Sequence, residues 1–158
     1  MRLLRQQDHG SAIVEFAITS AVVLAVLFGI IDAGRALYAY NWTSNAARKG
    51  TRFMIVRGEF CVQDPMPLTG GCPATAQNLD DYIKNTGGNG LDTTGIDTNK
   101  ITTTASCFAP AGARQPPPCA AGGWVRVNVT YTFNFITPFL RVIPAWNMTS
   151  YSQVIVQN

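Results

Sequence analysis

Histidine is almost missing from this chain, and His9 near the amino terminus is the only one. A histidine general base or a histidine-containing zinc site therefore has little to be built from. No nucleophile–base pair and no phosphate-cradling glycine loop stands out, so the expectation is a protein that is not an enzyme. Charge is scarce too. Only 13% of residues are Asp, Glu, Lys or Arg, and the net charge of +3 is scattered. No basic block is interleaved with aromatics, which argues against nucleic acid as a partner. None of the four cysteines, Cys61, Cys72, Cys107 and Cys119, belongs to a C-x-x-C pair. A structural zinc, which favours closely spaced thiolates, is not expected, and neither is a cofactor. Proline does not occur before Pro65, so the first third of the chain lacks the strongest helix breaker.

What is present is an early concentration of apolar residues. Residues 12–31 give roughly 20 nearly uncharged positions, enough at 1.5 Å each to cross a bilayer core of about 30 Å. Glu15 is the one charge inside that run, and the next is Asp32. A carboxylate in hydrocarbon costs about 2.5–3.5 kcal/mol at a helix centre and less near an end, so something should offset Glu15. The continuation "DAGRALYAYNW" offers only Ala36 and Ala39 as small residues, a weak cleavage site for a secretory signal peptide. A helix that simply continues is the better reading. Asp32 and Arg35 can pair on one face, and Ala36, Leu37, Ala39, Ala46 and Ala47 favour helix. A buried stripe of Ala46, Ala47, Gly50, Phe53, Met54 and Val56 follows, with Arg48, Lys49, Arg52 and Arg57 in water and Gly58 as the C-cap. The pattern predicts one helix over 11–57, transmembrane over about 12–32. Gly29, Gly34 and Gly50 weaken it locally but would let another helix approach closely.

Charge counting alone sets Arg2 and Arg5 against Arg35, Arg48, Lys49, Arg52 and Arg57, which would place the carboxy-terminal part in the cytoplasm. The cysteines oppose this. All four lie beyond the apolar run, as in a compartment that permits disulfides. Three connectivities are possible. Cys61–Cys72 and Cys107–Cys119 are preferred, because each closes a short loop containing Pro and Gly ("CVQDPMPLTGGC", "CFAPAGARQPPPC").

Residues 58–158 read as a small mixed domain. Ala76, Leu79 and Ile83 at helical spacing, stopped by Gly87-Gly88, predict a short helix near 74–86. Residues 100–108 predict a strand, and "PAGARQPPPCAAGG" a rigid loop. "WVRVNVTYTFNF" alternates cleanly, with Val125, Val127, Val129, Tyr131, Phe133 and Phe135 on the apolar face. A last strand over 145–157 would turn Met148, Val154 and Val156 inward. The economical solution is an antiparallel sheet of about three strands laid on the end of the long helix, an α+β architecture. Asp92 and Asp97 miss the calcium-loop spacing and read as solvated loop. The Asn-x-Thr triplets at Asn41, Asn128 and Asn147 are what a Thr/Asn-rich chain contains by chance.

The stretch "HGSAIVEF", residues 9–16, resembles the processing site of a type IV prepilin of the tight-adherence (Flp) branch. The resemblance makes 1–10 ("MRLLRQQDHG") a leader, Gly10 its last residue, Ser11 the new amino terminus, and Glu15 and Phe16 the fifth and sixth mature residues. "AIVEFAI…LFGIIDAGRALYAYNWTSNAARKGTRF" is similar to the long helix of TadE-like minor pilins or pseudopilins. "WVRVNVTYTFNFITPFL" is similar to their terminal strand and Thr-Pro-Phe/Leu turn. Residues 60–110, the four cysteines and the final Asn are outside the resemblance. It implies a pilin-like fold and a structural or assembly subunit in tight-adherence pilus biogenesis. The implied partners are a prepilin peptidase of the intramembrane aspartate type, other pilin or pseudopilin subunits, and the inner-membrane assembly platform. The implied location is the bacterial inner membrane, single-pass, with the carboxy-terminal domain periplasmic or carried into an extracellular pilus. Glu15 would then pair with the Ser11 ammonium of a neighbouring subunit, offsetting its desolvation. The plainer account leaves Glu15 among headgroups, favoured by the helix dipole. The alternative function is an uncleaved anchor that presents a disulfide-bonded binding domain outside the membrane.

Overall fold

The computed structural model describes residues 8–58, 61, 72–137, 140 and 142–156. Residues 1–7 of the expected leader, and most of the loop between Cys61 and Cys72, lie outside them.

The first helix, α1, runs from Asp8 to Val56, 49 residues without a break. At 1.5 Å per residue it is about 73 Å long. It starts a little before the expected position 11 and stops at the expected end. Its two halves differ in surroundings. Before Asp32 none of the described residues of α1 is buried. From Asp32 onward a stripe at three-to-four spacing sinks into the domain, through Ala39, Trp42, Ala46, Ala47, Phe53 and Met54. Thr43 and Thr51 lie on this stripe as well. Their hydroxyls donate to the carbonyls of Ala39 (2.7 Å) and Ala47 (2.8 Å), so their burial leaves no orphan donor. Val56, expected on the buried stripe, is 65% exposed. At 100° per residue it falls roughly 120° from the centre of that stripe, and the helix ends before another turn can cover it.

The short helix α2 spans Ala76–Lys84, two residues shorter at each end than expected. Thr75 and Asn78 form a reciprocal capping box at its start, and Asn85 in the left-handed conformation ends it. Leu79 and Ile83 face α1 across Gly50. A Cβ on Gly50 would lie 3.1 Å from Leu79 Cδ1, 3.1 Å from Ile83 Cδ1 and 3.2 Å from Val127 Cγ1. Gly50 therefore serves the close approach expected of it, whereas Cβ atoms on Gly29 and Gly34 would meet nothing within 4 Å.

Four antiparallel strands, β1 (Ile101–Phe108), β2 (Arg114–Gln115), β3 (Trp124–Phe133) and β4 (Trp146–Ile155), form a sheet in the order β2-β1-β3-β4. The extra strand is β2, two residues within the expected rigid loop, paired with Cys107 and Phe108. In β3 the alternation is complete, with every odd position from Val125 to Phe133 buried. In β4 Met148 is buried as expected, and so is Val156 just beyond the strand. Val154, on the outer strand, is 44% exposed.

Both disulfides join the partners expected of them, Cys61 with Cys72 and Cys107 with Cys119. The second is buried between β1 and the loop before β3. The two loop aspartates are occupied locally. Asp92 accepts from the Thr94 amide and hydroxyl, and Asp97 caps a 3-10 turn through the Asn99 amide. No cluster of metal-ligating side chains occurs among the described residues.

One feature of the layout places the rest. Val127 packs at Gly50, while the Arg35 guanidinium lies 5.2 Å from the centroid of the Phe133 ring. The fifteen-residue step back along α1 (about 22 Å) matches the six-residue step along β3 (about 20 Å). So β3 runs antiparallel to α1, and its end points toward the apolar half of the helix.

Candidate functional site

Three regions of α1 can carry function: its first two turns, its apolar surface, and the position where it enters the domain. Gly10, Ser11, Glu15 and Phe16 all lie on α1 and all are exposed. Because the helix begins at Asp8, the Gly10–Ser11 peptide bond lies in its first turn. A Cβ on Gly10 would meet nothing within 4 Å among the described residues, so no packing there demands glycine. Glu15 follows Ser11 by one turn. Its carbonyl accepts the Thr19 hydroxyl at 2.9 Å, and no ion pair to its carboxylate forms among the described residues. The structure thus brings the four motif residues onto one short, uncovered piece of helix. The four cysteines are in the domain beyond, far along the chain.

Between this motif and Asp32 the apolar side chains stand clear of the rest of the chain. Ile13, Val14, Ile18, Leu24, Phe28 and Ile30 are among the exposed ones. This is the one helix among the described residues that is long and apolar enough to cross a membrane. Contiguous apolar surface of this extent calls for a lipid or protein cover.

Where α1 reaches the domain, Asp32 is 2% exposed. Its carboxylate accepts four hydrogen bonds. Arg35 Nη1 donates at 2.9 Å, the Thr137 amide at 3.0 Å, the Ile136 amide at 3.3 Å, and the Thr137 hydroxyl also donates. A buried carboxylate is tolerable only when its lone pairs are used in this way. The Arg35 pairing is visible in the sequence as an i,i+3 spacing. The Thr137 pairing joins positions 105 apart and is not. A signal did exist. Asp32 precedes Ala39 by two helical turns and so sits on the stripe that Ala39, Ala46 and Gly50 bury, where an acidic residue must have partners. The clamp ties the acidic residue after the apolar run to Ile136 and Thr137, just beyond β3.

One apolar helix standing clear of a small antiparallel sheet, with its second half laid against that sheet, defines a pilin-like α+β protein. The model of the TadE-like protein family matches residues 10–52. Over that stretch the chain is TadE-like, which associates it with the Tad pilus system and with a membrane. The match covers Gly10, Ser11, Glu15, Phe16, the apolar run and Asp32, and ends before α2, the sheet and Thr137. Comparison with curated proteins and with solved structures gives no match.

Proposed function

We propose that the chain is a structural subunit for tight-adherence pilus biogenesis, made as a precursor and cut by a prepilin peptidase between Gly10 and Ser11. The carrying observation is the TadE-like match beginning at Gly10, on a helix whose first apolar stretch has no cover among the described residues. In this reading α1 spans the inner membrane over residues 12–31 and the domain carrying the disulfides lies on the periplasmic side. Cleavage creates an ammonium on Ser11, and the uncommitted Glu15 carboxylate pairs with that group on a neighbouring pilin or pseudopilin subunit at the assembly platform. Glycine at position 10, with no packing role among the described residues, suits a protease that must unwind and grip the first turn of the helix.

The test is the mass and amino-terminal sequence of the membrane-extracted protein, with and without its cognate peptidase. A chain that starts at Ser11 only when the peptidase is present supports the reading. Gly10→Trp should abolish processing, and Glu15→Val should leave processing intact while piliation falls. The continuity of α1 through Gly10–Ser11 favours a second reading, an uncleaved anchor. A chain that starts at Met1 beside an active peptidase would establish it.

A further inference from the structure

We infer that the described part of the connection between β3 and β4, residues 134–137, 140 and 142–145, is a lipid-docking element that rests on the periplasmic leaflet beside α1. The inference depends on the proposal that α1 spans the membrane. The direction of β3 comes first. The strand runs back along α1 and delivers this connection to the level of Asp32, the first charge after the apolar run. That level is where the hydrocarbon of a spanned bilayer would end. The Asp32 carboxylate then holds the Ile136 and Thr137 amides, so the connection cannot swing away without breaking a buried clamp.

The surface it presents there is apolar. Ile136 and Ile143 are exposed, and Val142 is 89% exposed. Trp146, the first residue of β4, is exposed as well and pairs with Phe133 at the end of the sheet nearest Arg35. An indole at this height is the side chain that favours the headgroup boundary. Four of its described backbone amides are paired within the chain. The Ile136 and Thr137 amides are taken by Asp32, the Leu140 amide donates to the Thr137 carbonyl (3.0 Å), and the Ile143 amide donates to the Leu140 carbonyl (2.9 Å). An irregular segment entering the membrane interface needs its donors satisfied internally in this way. A second copy of the chain could also cover an apolar patch, but this one lies at the level of Asp32, where the apolar run of α1 ends.

The experiment uses the full-length chain in nanodiscs made with phospholipids brominated near the headgroup end of the acyl chain, and with unbrominated ones. Trp42 is buried, and Trp124 lies at the other end of β3, roughly 30 Å from Phe133, so both serve as references. The Trp146 signal is the difference between the native chain and Trp146→Phe. Bromination should quench it relative to unbrominated nanodiscs and leave Trp42 and Trp124 unchanged. Val142→Asp/Ile143→Asp should abolish the quenching while the Trp42 emission maximum stays native. Carbonate extraction of the same chain reports separately whether α1 spans. Unquenched Trp146 in a chain that resists extraction overturns the inference and leaves the spanning helix standing. Unquenched Trp146 whose emission changes with the protein-to-lipid ratio shows a second copy on the patch and also overturns it. A chain released by carbonate overturns both.

Discussion

Removing the carboxylate of Asp32 should release the Thr-Pro turn while most of the sheet stays folded. In Asp32→Ala the Thr137 amide and hydroxyl lose their acceptor in a site where Thr137 is 2% exposed. Each buried orphan costs about 1–3 kcal/mol. The Ile136 amide and the Arg35 guanidinium are near enough to water to be resolvated at little cost, and alanine returns about 0.6 kcal/mol in helix propensity. The net loss is about 3 kcal/mol. Thr137→Val removes one hydroxyl of similar shape from a carboxylate that keeps its other donors, a loss of about 1.5 kcal/mol. The two changes share a contact, so the double variant should cost at least 1 kcal/mol less than their sum, a coupling of about that size. The assay is hydrogen exchange of the full-length chain in micelles. The Thr137 amide should exchange about a hundredfold faster in Asp32→Ala, the rate equivalent of about 3 kcal/mol at 1.4 kcal/mol per tenfold. The β3 amides from Val125 to Val129 should change far less. Unchanged protection at Thr137, or strict additivity of the two substitutions, would refute the clamp.

Gly50→Leu should cost about 3 kcal/mol in urea denaturation followed by Trp42 emission, because the new side chain would meet Leu79, Ile83 and Val127 at once. Replacing Cys107 and Cys119 together with serine opens a loop with a sequence separation of 12 and should cost about 3 kcal/mol by the same measurement. Acid should loosen the turn under Trp42, whose indole N–H donates to the Asp92 carbonyl at 2.8 Å. The Thr94 hydroxyl and amide hold the Asp92 carboxyl below its ordinary 3.8, so the turn's support is complete above that pH and is lost as pH falls through the lower folded value. A Trp42 emission change over that range, absent in Asp92→Ala, is the expected result in a chain carrying Trp124→Phe and Trp146→Phe.

The parts of this fold that are legible in the sequence are those whose period repeats enough times to be counted. Five inward positions in β3 suffice to assign its face, and the absence of proline through residue 64 carries α1 past the end of the apolar run. Cysteine pairing is legible for a different reason, since two short loops leave little choice. What escapes is set by long-range packing. Whether Val56 and Val154 are covered depends on where the sheet edge falls against α1, and no local pattern encodes that. The two residues of β2 are too few to show a period and are masked by the prolines around them. At the candidate site, Gly10, Ser11, Glu15 and Phe16 are close in sequence, and the structure places all four on one exposed piece of helix. Thr137 could not be read from the sequence, because its role exists only once β3 has run back along the helix to Asp32.

The unbroken course of α1 has a mechanical consequence. With no interruption between its apolar half and its last turn, the helix, spanning the membrane as proposed, would be a lever whose fulcrum is the bilayer surface. A tilt of about 20°, ordinary for a single spanning helix, would carry the Val56 end sideways by roughly 12 Å over the 36 Å beyond Asp32. The domain would travel with it. A push on the immersed arm by a neighbour would therefore be felt at the far tip of the sheet, without any rearrangement inside the domain.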